Sequence, residues 1–276
     1  MLAIRQTVTA LLITCWSLLA QGETLRIVTD SWAPYAFEDK DTARGIDYDV
    51  TALIFERLGI EVQWQFLPWK RCLAMVEQGH ADGILDIFHT TGRDDLLLYP
   101  REPLSEVEWV LYQANERPHQ IDSVDDLEGL TVGVTAGYEY GQAFAEVPGV
   151  TRESGPSQEA NFGKLAKARI DLLITDRRVG EYTLKQMGLQ DQISSLGLTV
   201  GHNQQFLAVR RGAGMDLLVQ RFAAELKRFK QEPGYEQLLA RYANTQMNGK
   251  TSPAEASQHG PDVPTGTAGQ RKSSAM

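Results

Sequence analysis

Residues 79–93 read GHADGILDIFHTTGR: a turn, a strand and a second turn that ends on an arginine. Ile84–Phe88 is apolar and β-branched enough for a strand, with one charge, Asp86, at its centre. Gly79 closes the helical pattern of Trp69–Gln78 before it. On its own, Arg93 beside Asp94 and Asp95 reads as a surface ion pair. Its planar fork also suits bidentate binding of a carboxylate.

Elements of both kinds alternate on either side. Upstream, Leu25–Thr29 is a short β-rich run. Asp47–Leu58 has a helical face of Val50, Leu53, Ile54 and Leu58, with Asp47 or Asp49 as cap and Gly59 as stop. Val62, Trp64 and Phe66 alternate as a strand does. Downstream, Glu108–Gln113 is a further strand. A second set follows: a short capped helix over Asp122–Gly129, a strand over Thr131–Thr135, a turn at Ala136–Gly137 and a helix over Glu139–Glu146. Ser157 caps a helix through Ala168, Ile170–Thr175 is a strand of the buried parallel type, and Arg177–Met187 is a helix stopped by Gly188. Phe206–Val209 is a strand. Leu217, Leu218, Phe222, Leu226 and Phe229 mark an amphipathic helix, and Gly234 separates it from a last helix through Tyr242. Repeated β-α-β units imply parallel sheets covered by helices on both faces.

The 276 residues, 42% of them hydrophobic, suffice for one large domain or two lobes. A net charge of −9, with no Lys/Arg-rich block, makes the chain a poor candidate for binding a nucleic-acid backbone. Arg5, the apolar run Val8–Ala20 and the small residues Ala20 and Gly22 read as a secretory signal peptide over 1–22, too short for a comfortable membrane span. Cys15 leaves with that segment, and Cys72, then alone, reads as a small buried apolar residue. Residues 245–276, rich in Ser, Gly, Pro, Thr and Ala, read as a disordered tail. There is no H-E-x-x-H, paired C-x-x-C, P-loop or G-x-S-x-G, and the five histidines lack metal-ligand spacing. No cofactor and no metal are expected, though carboxylate-based catalysis stays open.

Taken in order, seven segments carry a resemblance. They are the loop Asp30–Phe37, Gly45–Asp49 at a helix start, the G-x-x-D turn Gly79–Asp82, the T-x-x-R of Thr90–Arg93, Tyr99–Pro103, Thr131–Gly137, and Asp171–Asp176 at a strand end. The set resembles the periplasmic amino-acid-binding proteins of ABC importers, the family-3 solute-binding proteins, over Thr24–Tyr242. The resemblance implies an α/β, two-lobe periplasmic-binding-protein-like fold, each lobe a mainly parallel sheet flanked by helices. Lobe one would take 23–113 and 205–244, lobe two 114–204, with hinge crossings near Tyr112 and Gln204. It implies a non-enzymatic, monomeric periplasmic protein that closes on a small-molecule ligand, an amino acid or a derivative, and delivers it to an inner-membrane ABC permease.

The same resemblance assigns the site. Arg93 would hold the ligand carboxylate, helped by backbone N–H groups of Gly137, Tyr138 and Glu139 at a helix N-terminus. Asp176, at a strand's C-terminal end, would take the ammonium. Trp32 or Tyr35 would cover the ligand, Trp69 would stand at the cleft, Asp30 would reach a polar side chain, and Phe88, His89 and Thr90 would lie beside Arg93. One departure is plain: classical members have small hydroxyl residues before T-x-x-R, whereas this chain has Asp86-Ile87-Phe88-His89 in a segment one residue shorter. A modified amino acid or another small charged solute fits that change. Two alternatives are a cleft enzyme of cyclohexadienyl-dehydratase type, with Asp86, His89 and Glu139 as acid–base groups, and a ligand sensor acting on a membrane receptor.

Overall fold

The computed structural model describes residues 24–212 and 214–247. The expected signal peptide with Cys15 and the tail from residue 248 lie outside them. The strands are β1 (Leu25–Thr29), β2 (Phe37–Asp39), β3 (Thr42–Arg44), β4 (Val62–Phe66), β5 (Gly83–Phe88), β6 (Leu97–Leu98), β7 (Ser105–Ala114), β8 (Thr131–Thr135), β9 (Thr151–Gly155), β10 (Leu172–Asp176) and β11 (Ile193–Arg210). The helices are α1 (Ile46–Leu58), α2 (Trp69–Glu77), α3 (Gln142–Ala145), α4 (Gln158–Ala166), α5 (Arg177–Met187), α6 (Met215–Phe229) and α7 (Pro233–Met247). Among the described residues, no helix is long and apolar enough to cross a membrane.

One mixed sheet runs in the order β4-β1-β5-β11-β7-β10-β8-β9, with β6 added to β11. In one half β1 lies parallel to β4 and β5, and in the other β8 lies parallel to β9 and β10. The antiparallel pair β7 and β11 joins the halves. Alternate residues of each strand enter opposite layers, as the two-residue period requires. Ile27, Leu85 and Leu207 face α1, α6 and α7, whereas Val28, Ile84 and Ala208 face α2. In the other half Trp109, Leu111 and Ile174 pack with Phe144, and Val110, Tyr112 and Leu173 with Phe162 and Leu165. Each lobe is therefore a helix–sheet–helix sandwich.

Several expectations need correction. Trp109–Asp176 through Gln113–Leu172 is an unbroken antiparallel register, so β7 already belongs to the second lobe there. Tyr112, expected near a crossing, lies inside that register, because β7 is one continuous strand with no Gly or Pro to mark a passage. Gln204 lies within an 18-residue strand of which only Phe206–Val209 is apolar enough to read from sequence. The helix expected over Glu139–Glu146 is only α3, because Gly141 at φ 86° holds the chain out of helical conformation until Gln142. Gly45, not Asp47 or Asp49, stands before α1. Leu217 is 61% exposed rather than on the buried face of α6. Gly234 lies inside the first turn of α7, which runs past Asn244 to Met247. Gly59 and Gly188 end their helices in the left-handed conformation, and Ser157 Oγ accepts from Ala160 N at 3.2 Å, as expected.

The loop 30–37 is pinned from below. The amides of Ile46 and Asp47 donate to Pro34 O and Tyr35 O at 2.9 and 3.0 Å. Gly45 has φ 139°, and a Cβ there would clash with Tyr35 O. Cys72 is buried, its thiol against Leu67 O at 3.4 Å, and burial pushes it up to about 12, so it stays a protonated thiol.

Candidate functional site

Strand C-termini from both lobes meet at one cavity of about 400 Å³ of space between atoms, mouth included. The first lobe supplies Asp30 after β1, Trp32 from the pinned loop, Trp69 at the start of α2, Asp86 and Phe88 from β5, and Arg93 from the short turn Thr91–Arg93. The second supplies Gly137, Tyr138 and Glu139, which follow β8. A longer groove shares Asp30, Trp32, Trp69 and Tyr138 and continues past Lys70, Gln158 and Glu159.

Two contacts cross the cavity. The Tyr138 hydroxyl donates to Asp30 Oδ2 at 2.8 Å, and Arg93 Nη2 stands 3.6 Å from Glu139 Oε1. Arg93 Nη1 also donates to Phe88 O at 3.1 Å, which aims the guanidinium across the end of β5. The wall is aromatic: Trp32 meets Phe88 and Tyr138 edge-on at centroid distances of 6.4 and 5.9 Å, and Trp109 backs both Trp32 and Phe88.

Removal from water dominates the electrostatics. Burial pushes the Asp30 carboxyl up to about 6, although the Tyr138 hydroxyl partly offsets this. The Asp86 carboxyl goes well above the usual range, first through burial and then through the neighbouring acids Asp47 and Asp30. Asp47 is pushed up to about 6 by burial. Asp86 sits at φ 60° in a β-bulge, where Leu85 and Asp86 together oppose Leu207 on β11.

Eight of the expected site residues are thus brought together: Asp30, Trp32, Trp69, Phe88, Arg93, Gly137, Tyr138 and Glu139. Four are not among the lining residues. Asp176 is buried: Oδ1 accepts from Val179 N at 3.0 Å and from Tyr35 OH at 3.2 Å, and Oδ2 from Glu108 N at 3.0 Å. It caps α5 and does not line the cavity. Tyr35, 0% exposed, is that carboxylate's partner rather than a cover for the cavity. His89 points outward to Asp94 at 2.8 Å. Thr90 accepts the Arg93 amide at the base of the turn. Gly137–Glu139 do not open a helix, and Tyr138 N is used by Thr135 O at 3.1 Å, so the expected helix-terminus anion site is not built. Asp86, expected only as an acid–base group of the enzyme alternative, also lines the cavity; its signal is a charge inside an apolar strand. Among the described residues, no group of three or more His, Cys, Asp or Glu is arranged to hold a metal ion.

The sequence pattern of bacterial extracellular solute-binding proteins, family 3, matches residues 25–245. No curated protein matches the sequence. Among solved structures, an ancestral arginine-binding protein bound to arginine is 23% identical, with TM-score 0.68 over 79% of this chain and 97% of its own. A histidine kinase sensor domain with similarity to periplasmic binding proteins is 19% identical, with TM-score 0.71 over 80% and 96%. An ancestral amino-acid-binding protein, a precursor of cyclohexadienyl dehydratase, is 22% identical, with TM-score 0.68 over 83% and 99%. At these identities the likeness is one of fold.

Proposed function

Since the chain belongs to the bacterial extracellular solute-binding proteins of family 3, we propose that it captures a small polar solute bearing both an anionic and a cationic group, an amino acid or a derivative, between Arg93 and the carboxylates Asp30 and Asp86. The observation that carries this reading is the pairing of one guanidinium with acids across an aromatic-walled cavity supplied by both lobes. The guanidinium suits a carboxylate bidentately. Asp30 and Asp86 suit the ammonium, and they replace Asp176 in that role. Trp32, Phe88 and Tyr138 exclude water and so strengthen every charged contact.

Capture works as closure. Tyr138–Asp30 and Arg93–Glu139 hold the two walls together, and a solute that supplies its own carboxylate and ammonium replaces both contacts. The strands β7 and β11 are the hinge. Delivery by a monomer in the periplasm to an ABC permease is the role in keeping with the family. The test is mass spectrometry of small molecules released by denaturing the purified protein. A zwitterionic or cationic solute at near-stoichiometric yield supports the reading, and a purely apolar one contradicts it.

A second reading has one observation behind it: two carboxyls in one cavity, Asp30 pushed up to about 6 and Asp86 raised well above the usual range by burial, suit general acid–base work. Turnover of a cyclohexadienyl acid by the purified protein, lost in D86N, is its test.

A further inference from the structure

Asp86 is a charge that the fold does not require. It is 5% exposed, it occupies a left-handed backbone position usually left to Gly or Asn, and neither carboxylate oxygen has a hydrogen-bond donor. Asp47 on α1, within side-chain hydrogen-bonding reach of Asp86, is 1% exposed, and its Oδ1 also lacks a donor. A buried carboxylate with no donor is strongly disfavoured, and two facing each other more so.

Proton counting at the next residues points the same way. Ser105 Oγ lies 2.6 Å from Asp47 Oδ2 and 2.7 Å from Gln205 Oε1. A hydroxyl has one proton and serves only one of these acceptors. Turning the Gln205 amide lets Nε2, otherwise without a partner, donate to Ser105 Oγ, and Ser105 then donates to Asp47 Oδ2. One proton between Asp47 Oδ1 and Asp86 then completes the chain from Asp86 through Asp47 and Ser105 to Gln205. Ser105 and Gln205 are register partners where β7 and β11 pass between the lobes, so this chain lies at the hinge.

Arg93 lines the same cavity but is engaged by Phe88 O and Glu139, and among the described residues the charges that act on Asp86 are the acids Asp47 and Asp30. On the cavity side it faces Asp30 and Tyr138. On the far side, Asp47 feels Arg178 of α5 and Lys230 beyond α6, together with the neutral phenols Tyr35 and Tyr235. Lys230 is already tied to Glu102 and to Pro103 O at 2.9 and 2.6 Å. The open direction from Asp86 is into the cavity, which it lines.

We propose that Asp47 and Asp86 hold one proton between them before capture, and that a cationic side chain of the solute displaces it, the ammonium going to Asp30. Capture is then an exchange of a proton for a cation, and Asp86 selects cationic solutes. This rests on the reading of the cavity as the solute site, and it adds which group discriminates and what leaves.

Two measurements test it. Infrared difference spectra of wild type against D86N and D47N, at about pH 7, read the pair without any solute. The expected result is the carbonyl band of a protonated carboxylic acid in the wild type, absent from both variants; Asn at position 86 tolerates the same backbone conformation. No such band in the wild type overturns the shared proton. Calorimetric titration with L-arginine and its neutral isostere L-citrulline, each in phosphate and in Tris, reads the exchange. L-arginine is expected to bind roughly 10- to 100-fold tighter, with a heat that depends on the buffer through release of about one proton. D86N should erase both the preference and the buffer dependence. Equal affinity for the two solutes, or a buffer-independent heat, overturns the exchange, while a large loss in R93A still upholds the cavity. Binding that R93A leaves intact takes down the cavity reading itself. Failure of both solutes to bind, with the band present, overturns the exchange and the amino-acid reading together.

Discussion

The Tyr138 hydroxyl donates to Asp30 Oδ2 at 2.8 Å, which ties the loop after β8 to the C-terminal end of β1 across the cavity. These residues belong to different lobes, are 108 positions apart, and make the shortest link between the two walls of the proposed site. A solute that enters must take over the Asp30 oxygen that Tyr138 now satisfies.

Removing that donor leaves a carboxyl, already pushed up to about 6, without its strongest partner. Y138F should lower stability by about 1–3 kcal/mol, read as a reduced midpoint in guanidinium unfolding with an unchanged slope. A midpoint equal to that of the wild type would show that the bond contributes nothing to closure.

Stability should fall as pH rises through the neutral range. Asp30, Asp47 and Asp176 titrate at about 6 when folded, against roughly 3.9 when unfolded. The folded state therefore binds more protons between these values. The stability this confers is fully present below about pH 4 and lost by about pH 7, at most roughly 3 kcal/mol per group. Glu108, held at about 2 by the Arg177 guanidinium and Thr199, has the opposite sign and loses its contribution as pH falls below about 4. Asp82, lowered by Arg26, behaves alike. The maximum is expected near pH 4–5 by denaturant titration at a series of pH values. A curve that rises steadily to pH 8 would contradict the assignment.

Asp176 should matter to folding and little to binding. D176A removes the cap of α5 and the acceptor for Glu108 N and Tyr35 OH, at a loss of about 2 kcal/mol or more. D176N keeps a capping oxygen and should stay within about 1 kcal/mol of wild type. Both should bind the solute within about 10-fold of wild type. A folded D176N with a larger binding loss would return the ammonium contact to Asp176.

Gly45 should be intolerant of any side chain. Its φ of 139° and the Tyr35 carbonyl oxygen beside the place a Cβ would take leave no room for a methyl group. G45A is expected to lose more than about 3 kcal/mol and to perturb the near-ultraviolet dichroism of Trp32, whose loop it anchors. A thermal midpoint within a few degrees of wild type would sink this account of the loop.

Legibility in the sequence followed the physics of each element. Strong local signals were readable: the β-rich Leu25–Thr29, the left-handed stops Gly59 and Gly188, and the Ser157 cap. Non-local features were not. The crossing in β7 carries no local mark, and most of β11 is polar because its first half is only partly covered. Gly141 shortened α3 by a dihedral no propensity reveals. At the site, Arg93, Asp30 and Trp32 were placed by the ordered motifs. Asp176 sits at a strand end whether it caps a helix or meets a ligand, and only the partners Val179, Glu108 and Tyr35 distinguish the two. Asp86 was visible as a misplaced charge, but its bulge and its facing acid required the pairing of β5 with β11 and the packing of α1.

The central claim is that Arg93 anchors the anionic group of a solute held between the lobes. Its most direct test is calorimetric titration of wild type and R93A with the solute recovered from the purified protein. Loss of a charge-assisted, bidentate contact in a closed cavity should weaken binding by about 100-fold or more, while the partly exposed Arg93 leaves unfolding stability within about 1 kcal/mol. An R93A protein that folds normally and binds the solute with unchanged affinity would contradict the claim.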